Sequence, residues 1–72
     1  MTRDPRRQAY EIRVRGHLGP RMRRAFEALS AQPEGEDTLL RGVLSDQAAL
    51  YGVIARLETL GLELVEIRCL PG

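Results

Sequence analysis

Hydrophobic and polar residues alternate one by one near the start of the chain. An extended chain over residues 9–18 has an apolar side, formed by Tyr10, Ile12, Val14 and Leu18. The opposite side is polar and is formed by Glu11, Arg13, Arg15 and His17. A period of two predicts a strand over residues 9–18 with one buried face.

Apolar residues then recur at helical spacing, after Gly19 and Pro20 have ended the strand. They are Met22, Ala25, Phe26 and Leu29. Proline suits the first turn of a helix, because its missing N–H has no partner there in any case. The pattern predicts a helix over residues 20–30. Residues 31–37 contain Pro33 and Gly35 and are predicted to be a loop, which could hide a short edge strand.

Apolar residues lie on both sides of the second strand, predicted over residues 38–44. Leu40 and Leu44 share one side, while Leu39 and Val43 share the other. Such a strand needs cover on both faces, either within the fold or from another chain.

The second helix has the clearest boundaries in the sequence. Ser45 or Asp46 is placed to cap its N-terminus, and Gly61 is placed for a left-handed stop. Its apolar stripe is formed by Leu50, Val53, Ile54, Leu57 and Leu60. A third strand is predicted over residues 63–70.

These elements predict an α+β domain of order β-α-β-α-β, with two helices packed on one face of a three-stranded sheet. The strands are parallel if each helix is a simple crossover, and mixed if residues 31–37 run back across the sheet. Residues 1–8 contain little apolar surface and are predicted to be a disordered basic arm. Residues 9–72 form the single domain.

The chain has 72 residues, so its own core is small. One cysteine excludes an internal disulfide, and one histidine argues against a zinc site, which leaves self-association as the expected source of added stability. The lone cysteine suits the cytoplasm, and no apolar stretch is long enough to span a membrane. We therefore expect a cytoplasmic homodimer.

The sheet face without helices is the expected interface, together with the edge strands. Its candidate residues combine aliphatic groups with charges of both signs: Leu39, Arg41, Val43, Leu64, Glu66 and Arg13. Cross-strand pairs of opposite charge, such as Arg13 with Glu66, could fix the register.

Charge is distributed unevenly along the chain, and this favours a second interpretation. Residues 1–24 carry eight arginines against two acids, a net charge of +6, although the whole chain has a net charge of only +1. All basic residues are arginines, which fits either a GC-rich genome or selection for recognition of carboxylates and phosphates. Anion or nucleic-acid binding through Arg21, Arg23 and Arg24, helped by Arg3, Arg6 and Arg7 of the arm, is the alternative function.

No group of residues has the spacing expected of a catalytic site, a metal site or a cofactor motif. His17 lies on the polar side of its strand without a predicted partner. Cys69 lies on the apolar side of the last strand and is expected to be buried. The sequence therefore predicts a protein that is not an enzyme.

Two segments carry a resemblance to known small modules. The segment from Asp37 to Leu50, continued by Leu60 to Val65, resembles the BON domain, in which a strand precedes a capped helix and a closing strand. The segment from Ile12 to Leu29 resembles the first strand and helix of ACT-type regulatory domains. The chain is also similar to short proteins of GC-rich actinobacteria. These resemblances imply a ligand-sensing or protein-binding module, often dimeric and without catalysis.

Overall fold

A computed structural model describes residues 8–71; of the arm predicted over residues 1–8, all but Gln8 lies outside the described residues. Six elements follow one another along the chain. They are β1 (Gln8–Arg15), α1 (Pro20–Arg24), β2 (Ser30–Glu34), β3 (Asp37–Leu44), α2 (Gln47–Thr59) and β4 (Leu64–Leu70).

The strands form one four-stranded sheet of order β2-β3-β1-β4, in which all neighbours are antiparallel. The prediction of a three-stranded sheet with parallel or mixed strands was therefore wrong, because β2 begins at Ser30 and lies mostly in the segment interpreted as a loop. β2 joins β3 through the two residues Gly35 and Glu36, and Gly35 has a positive φ of 59°. A glycine at the first of two turn positions is typical of a tight β-hairpin.

β2 escaped prediction because its sequence, Ser-Ala-Gln-Pro-Glu, has no alternation of large apolar residues. Four of its five residues are exposed and only Ala31 is half-buried. An edge strand of this kind is held by its backbone ladder to β3 and needs little apolar surface.

Each helix connects two strands that have a third strand between them. α1 leads from β1 to β2, with β3 between, and α2 leads from β3 to β4, with β1 between. This element order is that of the split β-α-β arrangement. Both connections cross the same inner face of the sheet, where the core lies.

The core is formed by the apolar sides of the two central strands and by residues from the helical segments. Its buried members are Tyr10, Ile12, Val14, Leu18, Phe26, Leu29, Leu40, Leu44 and Leu57. Ile12, Val14 and Leu40 have no exposed surface. The apolar sides predicted on the first strand and on one side of β3 are therefore confirmed for Tyr10, Ile12, Val14, Leu40 and Leu44. The predicted end of the first strand at residue 18 was wrong, because β1 ends at Arg15, and Leu18 reaches the core from the segment before α1.

α1 is shorter than predicted, since it ends at Arg24 and residues 25–29 continue as turns. Leu29 N donates to Phe26 O at 2.9 Å, and this turn lies close against Gly42 of β3. A Cβ at Gly42 would lie 2.6 Å from Leu29 Cδ2 and 2.9 Å from Ala28 O. Gly42 thus permits the close approach of this connection to the sheet.

Both predicted ends of α2 are confirmed. Asp46 Oδ1 accepts a hydrogen bond from Ala49 N at 2.8 Å, so Asp46 is the N-cap. At the other end Gly61 has a φ of 74°, and Leu62 N donates to Leu57 O at 2.9 Å. This is the hydrogen bond of a Schellman stop.

Candidate functional site

The outer face of the sheet, opposite the helices, carries a network of ion pairs centred on Glu11. Arg41 Nε donates to Glu11 Oε2 at 2.6 Å, and Arg68 Nη1 lies 3.9 Å from the other carboxylate oxygen. Glu11 is the cross-strand partner of both arginines, and its side chain is only 10% exposed. Much of the charge on this face is therefore satisfied within one chain.

Leu39 is the residue whose position most changes the expected interface. It lies on the outer face between its cross-strand neighbours Arg13 and Gln32, yet only 3% of its surface is exposed. Arg13 is itself bound to Asp37, with 3.1 Å between Nη1 and Oδ2. The chain therefore covers this leucine by itself, and Leu39 has almost no surface to offer a partner.

The two exposed aliphatic residues of the predicted interface lie far apart. Val43 is 51% exposed and opposite Ala9, while Leu64 is 38% exposed and opposite Val14. Ala9 and Val14 lie near opposite ends of β1. Val14 belongs to the core, and the register of β4 against β1 shifts between Arg13 and Val14, so Leu64 lies opposite an inner-face residue and not on the outer face where sequence alternation placed it. The outer face therefore has no continuous apolar patch that joins the candidate interface residues.

β4 is the strand at the edge of the sheet next to β1, and most of its side chains are exposed. Every residue of β4 is exposed or half-buried, including Val65, Glu66, Arg68 and Cys69. The alignment of Arg13 with Glu66, suggested by their opposite charges, is confirmed. Among residues 8–71, no strand pairs with the second edge of β4. Its free N–H and C=O groups form a template on which another strand can pair.

Cys69 is exposed, so the prediction that it is buried was wrong. It lies on the inner face opposite Tyr10, but this part of the face is at the margin of the sheet, beyond the best-packed core. Burial raises the pKa of the Tyr10 hydroxyl, and Cys69 beside it acts in the same direction. This pair marks the boundary between the closed core and the open margin.

The three arginines proposed for anion binding are only partly brought together. Arg21 and Arg24 line a groove of about 750 Å³ with Arg15, while Arg23 lies outside its lining. The apolar part of the groove is formed by Leu18, Met22 and Leu62. The arginines of the predicted arm, Arg3, Arg6 and Arg7, lie outside the described residues.

The sequence did not indicate Arg15 or Leu62 as members of this groove. Arg15 belongs to β1 and Leu62 follows α2. The two segments lie side by side here, where Arg15 N donates to Glu63 O at 2.9 Å and Arg15 Nε lies 3.3 Å from Glu63 Oε2. His17, which also lines the groove, is engaged through Nε2 with Gly35 O at 2.8 Å. The charge alternation along β1 was the one signal that could have pointed to Arg15.

Within residues 8–71 there is no group of three or more side chains arranged to hold a metal ion. Neither helix in this part of the chain has the length and apolar character needed to cross a membrane.

The described part of the chain is a small α+β domain with an antiparallel sheet and two helices on one face, and no strand in this part pairs with the outer edge of β4. A family model matches residues 9–68, and the chain belongs to this family, which is described as a domain of unknown function (DUF8691). No curated protein and no solved structure matches the chain.

Proposed function

We propose that this protein is a small interaction module that acts without catalysis and functions as a homodimer joined through the free edge of β4. The observation that carries the proposal is the incomplete packing of β4. This strand pairs with β1, one of the two central strands, yet all of its own residues keep solvent-exposed surface. A second chain at this edge would supply both a strand partner and apolar cover.

The edge of β4 is a better interface than the outer face of the sheet. On that face Glu11 and Asp37 already neutralise Arg41 and Arg13 within the chain, and Leu39 is buried. Docking a partner there would have to desolvate ion pairs that already have their partners, which gains little. The edge of β4 instead presents unpaired backbone groups, whose pairing adds hydrogen bonds.

Sedimentation equilibrium of the full chain, from low to high micromolar concentration, tests the proposal. We expect a reversible monomer–dimer equilibrium. The matched variants are Val65→Thr on β4 and Val43→Thr on the outer face, since the two valines are 45% and 51% exposed. The first should weaken association and the second should not. A strict monomer at high micromolar concentration would sink the proposal.

The arginine-lined groove favours a second candidate function, the binding of an amphipathic anion. Arg15, Arg21 and Arg24 surround an apolar floor that contains Met22. An apolar body bearing a carboxylate or a phosphate would match both parts, because guanidinium groups bind these anions with paired hydrogen bonds. Both proposals assume the cytoplasmic location that the single cysteine led us to expect.

Titrations monitored by NMR would test this candidate with three probes: decanoate, inorganic phosphate and a single-stranded oligonucleotide. Arg21→Gln should weaken decanoate binding, whereas Arg23→Gln, outside the groove, should leave it unchanged. Equal loss with both variants would indicate unspecific attraction by positive charge. If only the oligonucleotide binds, and its affinity falls steeply with salt, the arginines would form a surface for the nucleic-acid phosphate backbone and the groove would not be an anion site.

A further inference from the structure

The two edges of the sheet differ in their capacity to accept another strand. β2 has five residues and contains Pro33, which lacks an N–H, whereas β4 has seven residues and every one of them carries an N–H. Short length and proline are common ways of protecting an edge from pairing. Of the two edges, β4 is therefore the one that remains available.

We propose that two copies of this chain pair their β4 strands in an antiparallel manner, with Ile67 opposite Ile67 of the partner subunit. This inference rests on the proposed homodimer and specifies its register. The pairing would join two four-stranded sheets into one continuous sheet of eight strands around a two-fold axis.

Symmetry restricts the registers that are available. A two-fold axis perpendicular to the sheet keeps the outer faces of both copies on the same side, so outer residues must oppose outer residues. The centre of the pairing must therefore coincide with a residue and cannot fall between two residues. Ile67 is the middle residue of Leu64–Leu70. Centring there uses the part of β4 that pairs regularly with β1, from Glu66 to Leu70, whereas the register against β1 shifts at the Leu64 end of the strand.

Charge distinguishes among the central registers. Centring on Glu66 would place two glutamates opposite each other, and centring on Arg68 would place two arginines opposite each other. Centring on Ile67 instead places Glu66 opposite Arg68 of the partner subunit, twice by symmetry. Opposite charges in directly opposed positions stabilise a strand pair, and like charges destabilise it.

The same register extends an existing row of alternating charges across the interface. Within one copy, Arg41, Glu11 and Arg68 are successive cross-strand neighbours on the outer face. The next position in the row would be Glu66 of the partner subunit. Within that subunit, Glu66 is the cross-strand neighbour of Arg13, as it is in every copy of the chain. Signs thus alternate over five consecutive strands without a like-charged contact.

The inner face gains an apolar row in this register. Ile12 and Ile67 are cross-strand partners within one copy, and Ile67 is half-buried. Its counterpart across the axis would extend the core by an isoleucine. Val65, which is 45% exposed, would lie opposite the exposed Cys69 of the partner subunit.

A charge-reversal experiment tests the register by sedimentation of single variants and of their mixture. Glu66→Arg places arginine opposite arginine in the homodimer, and Arg68→Glu places glutamate opposite glutamate. We expect each to weaken self-association by about tenfold or more, given two reversed pairs per dimer. An equimolar mixture of the two variants restores both opposite-charge pairs and should recover a heterodimer.

The controls separate register from folding and from unspecific charge effects. Both variants also alter contacts with β1, so circular dichroism must show that each is folded at the concentrations used. Glu58→Arg, on the exposed side of α2, should leave association unchanged. Recovery of a heterodimer cannot arise from an intrachain effect, because each chain in the mixture keeps its own altered contacts.

Disulfide formation provides a second test that does not depend on charge. Val65→Cys should crosslink to Cys69 of the partner subunit under mild oxidation, because opposed residues lie within reach of a disulfide. Val65→Cys combined with Cys69→Ser should not crosslink, since the two copies of position 65 would be about 13 Å apart along the strands.

The outcomes distinguish the register from the dimer itself. Association of the wild-type chain without heterodimer recovery and without the crosslink would overturn the register but leave the homodimer standing. Absence of association in the wild-type chain would overturn both. Recovery of the heterodimer together with the crosslink supports the pairing centred on Ile67.

Discussion

β1 and β4 are neighbours in one ladder, yet the chain buries them to very different extents. In β1 the only exposed residue is Arg15, whereas all residues of β4 are exposed or half-buried. The contrast holds even for two residues of the same type, the opposed Ile12 and Ile67, of which the first has no exposed surface and the second is half-buried.

This difference shows where residues 8–71 leave the core incomplete. α2 follows β3 and returns to β4, but Leu57 is its only buried residue. A helix of 13 residues with one buried side chain closes over the centre of the sheet and leaves the margin open. The remaining cover for β4 would have to come from outside the described residues, and the homodimer proposed above would supply it from a second copy.

The largest expected effect compares the two opposed isoleucines. Ile12→Ala should lower the free energy of unfolding by about 2–5 kcal/mol, which approaches the whole stability of a domain this small. Ile67→Ala should cost less than about 2 kcal/mol in the monomer, because part of its side chain is already exposed. Urea denaturation at protein concentrations below the dissociation constant of the dimer measures the free energy of unfolding of both variants. Equal losses would contradict the difference in burial between Ile12 and Ile67.

Glycine substitutions should show how tightly the centre of the sheet is packed. Gly42→Ala should destabilise the domain by about 1–3 kcal/mol, since the new Cβ would press against Leu29 and Ala28. Gly52→Ala on α2 is the matched control, because a Cβ there has nothing within 4 Å. It should stabilise the helix by up to about 1 kcal/mol. The midpoint of thermal denaturation should fall in Gly42→Ala and rise in Gly52→Ala. Two shifts of the same sign would contradict the close packing at Gly42.

Two carboxylates of the outer face, those of Glu11 and Glu66, provide a third comparison. Glu11→Gln should cost about 1–2 kcal/mol, because Glu11 is largely buried between two arginines that are themselves more than half exposed. Glu66→Gln should change the free energy of unfolding of the monomer by less than about 0.5 kcal/mol, since this side chain is 54% exposed. Denaturation of both variants beside the wild type decides the point. A larger loss of stability in Glu66→Gln than in Glu11→Gln would contradict the conclusion that Glu11 lies in the packed centre of the sheet and Glu66 at its open margin.

The smallest effect concerns pH at the Tyr10–Cys69 boundary. The pKa of Tyr10 is raised above its usual value of 10.0, because burial favours the neutral hydroxyl. The resulting stabilisation is complete below pH 10 and is lost as the pH rises through the higher pKa of the folded state. Tyr10→Phe should therefore flatten the decline in stability above pH 10. An unchanged slope would show that Tyr10 does not contribute to it.

Several elements could be predicted because each has a local physical cause. The alternation of β1, the Asp46 cap and the Gly61 stop of α2 are encoded within a few residues and are confirmed by the structure. The family model covers residues 9–68 without adding a function.

Other features depend on contacts that sequence spacing does not reveal. β2 is held mainly by its backbone hydrogen bonds to β3, so its sequence has no hydrophobic alternation from which a strand could be predicted. Leu39 is buried by neighbours on β1 and β2, whose position opposite it depends on the strand order. The arginine groove joins β1 to the segment after α2. Arg23 falls outside the groove, although it lies in sequence between Arg21 and Arg24, which both line it.

Amide hydrogen exchange of the full chain, measured above and below the concentration of half-dissociation, tests the central claim most directly. We predict that amides of alternate residues within Leu64–Leu70 exchange more slowly at high concentration, while those of Ser30–Glu34 do not change. Slowing confined to β2, or exchange in β4 that is independent of concentration, would contradict the claim that a second copy completes the sheet at β4.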